Sequence, residues 1–128
     1  MFFLAYLVEI LSNLKKIFYI KIGEGDRMLI LNLSLEGHTL YAKLKGNLTK
    51  KETYKMNHYV IPYIEKEQVS SFILDCRDLK KVDSEGRYGL LKTKILLKKR
   101  QGKFLLCNVK KDIKESLIGY RMRIQNGK

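Results

Sequence analysis

Alternating apolar and polar positions open the regular part of the chain. From Leu29 to Glu36 every second residue is a leucine, and a period of two is typical of a strand with one buried face. Gly37 and His38 supply a turn, after which the alternation resumes over residues 40–45. Two alternating runs joined by a short turn predict a β-hairpin.

A helical period follows the hairpin. Thr49 and Glu52 have the spacing of a capping box, which predicts that a helix begins near Lys50. Its expected apolar face consists of residues at helical spacing, namely Met56, Tyr59, Val60, Tyr63 and Ile64. Pro62 lies inside this pattern and is expected to kink the helix or to end its regular part early.

The next segments alternate between apolar runs and helical patterns. The run from Val69 to Cys76 is nearly continuous, which predicts a strand covered on both faces, as in a parallel sheet. A polar loop over residues 78–83 leads to a second helix from about Ser84 to Gln101. The residues of this helix that we expect to face inward are Tyr88, Leu91, Ile95 and Leu96.

The C-terminal part repeats the pattern at shorter length. Residues 103–109 predict another buried strand, residues 111–118 a short helix closed by Gly119, and residues 120–124 a last short strand. The resulting order of elements is ββαβαβα. We therefore predict an α/β fold with a mixed four- to five-stranded sheet, helices packed on it, and right-handed crossovers between the parallel strands.

Residues 1–27 do not fit this pattern and allow two interpretations. The apolar run stops at Glu9, so it is shorter than the roughly 20 residues of a membrane-spanning helix, and no positive charge precedes it as in a secretory signal. One interpretation is an amphipathic helix that binds a membrane surface or a partner, with an apolar face formed by Leu7, Ile10, Leu11, Leu14 and Phe18. The other is that the natural start is Met28, because the codons just before it would resemble a ribosome-binding site. We therefore divide the chain into residues 1–27, an extension or mis-assigned start, and residues 28–128, the domain.

The chain is strongly basic. Its 128 residues, enough for one domain, carry a net charge of +13, which suggests a nucleic-acid-binding module. Lysines outnumber arginines, although recognition of bases and phosphates favours arginine, and the lysines are scattered over most predicted elements. We therefore interpret most of this charge as solvated surface and keep nucleic-acid binding as a lesser alternative.

No set of residues suited to catalysis or metal binding is apparent in the sequence. Cys76 and Cys107 each lie in an apolar run, as buried free thiols of a reducing compartment do, and with only His38 and His58 there is no metal-ligand spacing. No nucleophile has a histidine base near it in the predicted layout, and no carboxylate pair is placed for glycoside hydrolysis. We therefore expect a cytoplasmic binding protein and not an enzyme, without a cofactor, a metal or a small-molecule substrate.

Three local signatures, each on the expected element, resemble one known family. Residues 44–49 resemble a G-x-L-D pattern after the second strand, residues 72–86 resemble an apolar run followed by aspartate and later by D-S-S-G, and residues 100–109 resemble G-G-x-L-x-L-x-x-V. From about residue 29 to residue 124, the chain thereby resembles the STAS domain family, of the anti-sigma factor antagonist type.

The resemblance implies a protein-binding switch that regulates transcription in bacteria. In that family the serine after the aspartate is phosphorylated, and here this position is Ser84, with Asp83 and Gly86 at the matching aspartate and glycine. The unphosphorylated antagonist binds an anti-sigma factor that is also a serine kinase, and phosphorylation breaks the complex. We therefore expect such a kinase as the partner, no nucleic acid, and no membrane unless residues 1–27 are a real amphipathic extension.

The expected partner surface combines two loops. It contains Asn47 and Thr49 after the second strand, and Asp83, Glu85, Gly86 and Arg87 around Ser84. A phosphate on Ser84, at or beside the N-cap of the second helix, would be tolerated by free backbone N–H groups and the helix dipole, and its negative charge would repel a partner. We expect Asp83 to orient the hydroxyl and Gly86 to let a partner backbone approach closely.

Three departures from the family pattern support an alternative. Glu85 stands where the family has its second serine, Thr49 stands where it has an aspartate, and the last helix of the family is short or missing. The alternative is a divergent STAS scaffold that binds a protein or lipid partner without phosphorylation.

Overall fold

Seven strands form one mixed sheet in the computed structural model, which describes residues 10–12 and 15–126. The strands are β1 (Ile10–Ser12), β2 (Lys15–Ile22), β3 (Leu29–Glu36), β4 (Thr39–Leu48), β5 (Ser71–Val82), β6 (Lys103–Cys107) and β7 (Ile124–Gln125). The helices are α1 (Lys50–Lys66), α2 (Ser84–Lys99) and α3 (Lys111–Ser116), with short 3-10 turns at Gly25–Arg27 and Ile118–Tyr120.

The strands follow one another across the sheet in the order of the chain. β1 to β4 pair antiparallel, and β4 to β7 pair parallel. Because the parallel half advances in one direction only, right-handed crossovers place α1, α2 and α3 on the same face of the sheet. The predicted α/β class and mixed sheet are confirmed, but the described residues form seven strands instead of four or five, since β1 and β2 precede the predicted hairpin.

One face of the sheet carries the hydrophobic core. The leucines of β3 and the alternate residues Leu40, Ala42 and Leu44 of β4 are buried, as the alternation predicts. On β5, Phe72 and Leu74 are buried, whereas Ile73 between them is only half-buried. The prediction that this strand is covered on both faces is therefore wrong, because the helices pack on the same face of the sheet.

β5 is longer than predicted. A β-bulge adds one residue to β5 between Asp75 and Asp78, and the ladder with β4 continues beyond it to the pair of Leu48 with Val82. The segment after Asp78 is therefore strand and not the expected polar loop.

α1 begins at Lys50 and has the predicted apolar face. Met56, Val60 and Ile64 are buried, and the two tyrosines of this face pack against them at the rim of the core. The predicted early end at Pro62 is wrong, since the helix continues to Lys66. Pro62 is exposed, so the carbonyl that loses its helical partner can bond to water.

α2 packs through a face that shares only part of the predicted one, since Leu96 is partly buried against the core as expected. Its buried residues are Gly86, Gly89, Leu90, Thr93 and Leu97, whereas Tyr88 is 54% exposed and Ile95 is 46% exposed. A Cβ on Gly89 would lie 2.1 Å from Cγ2 of Thr53 in α1. The two helices therefore touch where α2 has its glycines, which turns Tyr88 and Ile95 outward.

The two strands described before Met28, β1 and β2, belong to the sheet. β2 pairs with β3 along its whole length, and Phe18, Ile20 and Ile22 are buried in the core. The alternative of an amphipathic helix is wrong for the described part of this segment, which forms β1 and β2; Leu7 and Leu14 lie outside the described residues. Translation from Met28 stays a prediction. Among the described residues, no helix has the length and apolar character needed to cross a bilayer.

The two cysteines are free thiols, as expected. Cys76 is buried, and burial, together with the nearby Cys107 and Asp75, raises the pKa of its thiol to about 12. Cys76 is therefore a neutral core residue at physiological pH, whereas Cys107 is half-buried. In the part of the chain that the structure describes, no three side chains of His, Cys, Asp or Glu are grouped as metal ligands.

Candidate functional site

The carboxyl ends of β4 and β5 bring the predicted site residues to one corner of the sheet. Leu48 and Val82 are paired at the ends of these parallel strands, so α1 and α2 begin side by side at the same edge. The connections to these helices contain or adjoin all the predicted site residues, namely Asn47, Thr49, Asp83, Ser84, Glu85, Gly86 and Arg87. The two loops that we expected to form one surface are therefore adjacent.

Asp83 caps both helices. It is the N-cap of α2, where its Oδ1 accepts a hydrogen bond from the backbone N–H of Gly86 at 2.8 Å. Its Oδ2 accepts from the backbone N–H of Lys50, the first residue of α1, at 3.2 Å. A carboxylate is favoured here because both helix N-termini present free N–H groups and positive dipole ends. Contrary to our expectation, both oxygens are engaged by backbone donors rather than by the hydroxyl of Ser84.

Ser84 is exposed at the first position of α2, directly beside the N-cap. Because Asp83 performs the capping, the helix start does not depend on the serine hydroxyl, which stays accessible to a modifying enzyme. Glu85 is exposed as well, so such an enzyme would meet a carboxylate next to the hydroxyl.

Two basic residues stand three positions from Ser84 in the sequence, one on either side. Arg87 is three residues further along α2, a spacing at which helical side chains are neighbours, and its Nη1 donates to the carbonyl of Val82 at 3.4 Å. Lys81, near the end of β5, is exposed. Cationic side chains form strong hydrogen bonds with phosphate oxygens, so Arg87 is suited to pair with a phosphate on Ser84.

Gly86 is buried and serves the packing of the domain itself. A Cβ on this residue would lie 2.0 Å from the carbonyl oxygen of Leu48 and 3.1 Å from Cγ1 of Val82. Only a glycine lets α2 begin this close to the end of β4. Our expectation that Gly86 admits a partner backbone is therefore wrong, because the close approach is between two parts of this chain.

The start of α1 uses Thr49 differently from the prediction. Thr49 is the N-cap, but its hydroxyl donates to Oε1 of the buried Glu52 and does not accept from an N–H of α1. The N–H of Lys50 is taken instead by Asp83. The predicted helix start is confirmed, whereas the capping box is present only as a contact between its two side chains.

Residues before Met28 complete the surface on one side. Nδ2 of Asn47 donates to the backbone carbonyl of Asp26 at 2.5 Å, and the backbone N–H of Asn47 donates to the carbonyl of Met28 at 3.1 Å. The result is a cleft of about 530 Å³, the cap cleft, bounded by Arg27, Asn47, Thr49, Lys81 and Asp83. Asn47 thus ties the turn at Gly25–Arg27 to the predicted partner surface.

Asp26 and Arg27 were missed by the sequence analysis because residues 1–27 were set aside as one unit. The signal that identifies the strand before them is the run from Lys15 to Ile22, which is rich in isoleucine and aromatic residues and ends at Gly23. Such a run bounded by glycine predicts a strand, and a strand there requires a turn before Met28.

Replacement of Asp83 tests its double capping role. We expect Asp83→Ala to lower the free energy of unfolding by about 2 kcal/mol, the upper end for loss of an N-cap, because two helices lose a partner. Urea denaturation followed by circular dichroism measures the change. Asp78→Ala, at an exposed position of β5, is the control and should change stability by less than about 0.5 kcal/mol. Similar losses for the two variants would contradict the capping role.

Solved structures of other proteins have a similar fold. The fold is similar to the structure of the anti-sigma factor antagonist SpoIIAA in its unphosphorylated form, with a TM-score of 0.67 and 17% identity over 77% of this chain and 89% of that chain. The structure of the Bacillus cell fate determinant SpoIIAA in the phosphorylated form gives the same TM-score of 0.67 and 17% identity, over 77% of this chain and 91% of that chain. The murine Slc26a9 anion transporter in its inward-facing state is similar with a TM-score of 0.60 and 15% identity, over 73% of this chain but only 17% of the transporter.

The sequence itself identifies the protein family. No curated protein matches this chain, but the STAS domain family matches residues 27–121. This match covers most of the chain, and it confirms the resemblance carried by the three local signatures. The chain therefore belongs to the STAS domain family.

Proposed function

We propose that this protein is an anti-sigma factor antagonist that acts as a binding switch controlled by phosphorylation. Without phosphate on Ser84 it binds an anti-sigma factor with serine kinase activity, and phosphorylation of Ser84 by this partner releases it. The observation that carries the proposal is the exposed Ser84 beside the Asp83 cap of a STAS domain. The protein works by binding a protein in the bacterial cytoplasm and not by catalysis.

The similar structures support this proposal. SpoIIAA is named an anti-sigma factor antagonist, and its structure is known in unphosphorylated and phosphorylated forms. A switch of the kind proposed here requires a fold that persists in both states.

The position of Ser84 suits a switch that leaves the fold intact. A phosphate adds about −1.5 to −2 charge at pH 7, and the free N–H groups and dipole at the start of α2 favour negative charge. Because Asp83 remains the cap, the modification breaks none of the hydrogen bonds by which Asp83 holds α1 and α2. The added charge therefore changes the partner surface and not the core.

Capture of partners from a lysate of the source organism tests the switch. We expect the full chain and its Ser84→Ala variant to retain an ATPase of the serine-kinase type. With Ser84→Asp the captured amount should fall about tenfold or more, because a fixed negative charge imitates the phosphate. Quantitative mass spectrometry of the captured proteins gives the ratio.

Ser70→Asp is the matched control for this experiment. Ser70 is exposed and precedes β5, at the opposite end of that strand from Ser84. This variant should retain the ATPase as the wild type does. If Ser84→Asp also retains it, the switch is contradicted, and the STAS scaffold that binds without phosphorylation, with Glu85 already charged beside Ser84, becomes the better account.

A further inference from the structure

A groove between α1 and α2 begins next to Ser84. Its volume is about 630 Å³, and its walls are formed by Tyr54, His58 and Ile61 of α1 and by Glu85, Tyr88 and Lys92 of α2. We call it the helix groove. Below the groove, Gly89 of α2 packs closely against Thr53 of α1, and this contact closes its inner side.

The floor of the helix groove contains polar atoms without partners. Thr53 is 4% exposed, and its Oγ1 forms no hydrogen bond within the described part of the chain. The buried Oδ1 of Asn57, one turn further along α1, has no partner there either. Buried polar atoms nearly always have a hydrogen-bond partner. Both oxygens are covered by the packed helices, so a ligand that supplies donors reaches them only after a rotamer change at Thr53 or Asn57.

The rim of the helix groove is aromatic and positive. Tyr54 is 73% exposed, and Nζ of Lys92 lies 5.1 Å from the centre of the Tyr88 ring. The described residues that line the groove include the lysines at 50, 51, 55 and 92, against the carboxylate of Glu85. Complementary charge selects binding partners, and exposed aromatic rings contribute apolar contact area. The rim therefore favours an acidic ligand with apolar side chains between its carboxylates.

We propose that the helix groove binds an extended acidic segment of the partner protein. An extended segment is favoured over a helix because its free backbone N–H groups bond to Oγ1 of Thr53 and Oδ1 of Asn57 once these side chains turn toward the groove, whereas the N–H groups of a helix are already used. This inference rests on the proposed function, since the segment belongs to the protein that Ser84 controls. A phosphate on Ser84 would add negative charge beside Glu85, where the groove begins, and would weaken an acidic occupant.

A synthetic peptide tests the chemistry of the groove directly. The probe is a fluorescein-labelled peptide in which glutamate and leucine alternate, added to the full chain and followed by fluorescence anisotropy. We expect binding to the wild type and about tenfold weaker binding to Lys51→Glu and Lys92→Glu, because each reverses a charge at the rim. Asn57→Leu should also weaken binding, since it removes the acceptor on the floor.

Two controls make the result specific. Lys103→Glu reverses an exposed charge at the start of β6, outside the helix groove, and should bind the peptide within about twofold of the wild type. A peptide of alternating lysine and leucine should not bind. The proposal is overturned if the acidic peptide does not bind, if it binds Lys92→Glu as well as the wild type, or if a single-stranded oligonucleotide binds through Lys92 in its place.

The lysate experiment separates this inference from the proposed function. Loss of the ATPase by both Ser84→Asp and Lys92→Glu supports both proposals. If Ser84→Asp loses the ATPase but Lys92→Glu keeps it, the switch stands and the groove proposal falls. If Ser84→Asp keeps the ATPase, the switch itself falls.

Discussion

Gly86→Ala should lower the free energy of unfolding by about 3 kcal/mol, the upper part of the range for overpacking a core. The new methyl group would lie 2.0 Å from the carbonyl oxygen of Leu48, a backbone atom that no side-chain rotation can move. The start of α2 would have to move away from the end of β4, and the hydrogen bond from Gly86 to Asp83 would lengthen with it. Urea denaturation followed by circular dichroism measures the loss.

Gly119→Ala is the control for this substitution. A Cβ at this position would meet no atom within 4 Å, so stability should change by less than about 0.5 kcal/mol. If the two alanine variants are equally stable, the contact between Gly86 and Leu48 does not constrain the corner as described.

A variant that begins at Met28 should be less stable than the full chain by about 3 kcal/mol or more. It lacks β2 and therefore the buried side chains of Phe18, Ile20 and Ile22, each of which contributes about 1.5–3 kcal/mol when fully buried, less the entropy of ordering the strand. The shortened chain also lacks the ring of Phe18, whose centre lies 4.9 Å from that of Tyr63 near the C-terminal end of α1. Denaturation of both chains under the same conditions measures the difference.

Two neighbouring substitutions in β2 check the reason for this loss. Phe18→Ala should cost about 3 kcal/mol, whereas Ile17→Ala, on the opposite and exposed face, should cost less than about 1 kcal/mol. If the shortened chain is as stable as the full one, β2 is dispensable, and a natural start at Met28 becomes the simpler interpretation.

The periodic patterns of apolar residues correctly predicted which residues of β3 and α1 are buried. The leucines of β3 and the positions Met56, Val60 and Ile64 of α1 follow strict periods, and they are buried as expected. β5 was expected to be covered on both faces because its apolar run is continuous, but coverage depends on the direction in which the sheet grows, which no single strand contains. The period of apolar residues within one element therefore predicts whether it is a strand or a helix, but not which other elements cover it.

The predicted face of α2 was wrong at Tyr88 and Ile95 because its buried stripe begins with glycines. Gly86 and Gly89 continue into Leu90, Thr93 and Leu97 at helical spacing, but a residue without a side chain carries no hydropathy signal. The large residues Tyr88 and Ile95 were chosen instead. Packing by close backbone approach can be recognised only when the neighbouring element is known.

The sequence predicted where the candidate site lies but not the hydrogen bonds that hold it together. The two loops that contain Asn47 and Ser84 meet because parallel strands end at a common edge, which the order of elements already implies. That Asp83 bonds to both Gly86 and Lys50 depends on a distance of a few ångströms between two helices. The helix groove depends on the same distance, and so it was not visible in the sequence.

The agreement between strand order and chain order bears on how the protein is made. The N-terminus leaves the ribosome first during synthesis, and here the neighbour of each new strand in the sheet is the strand that emerged just before it. β4 receives β5 once α1 has emerged, and β5 then receives β6, without any earlier pair having to open. Assembly can therefore proceed in the order of translation, with β1 at the fixed edge of the sheet and the newest strand at the growing edge.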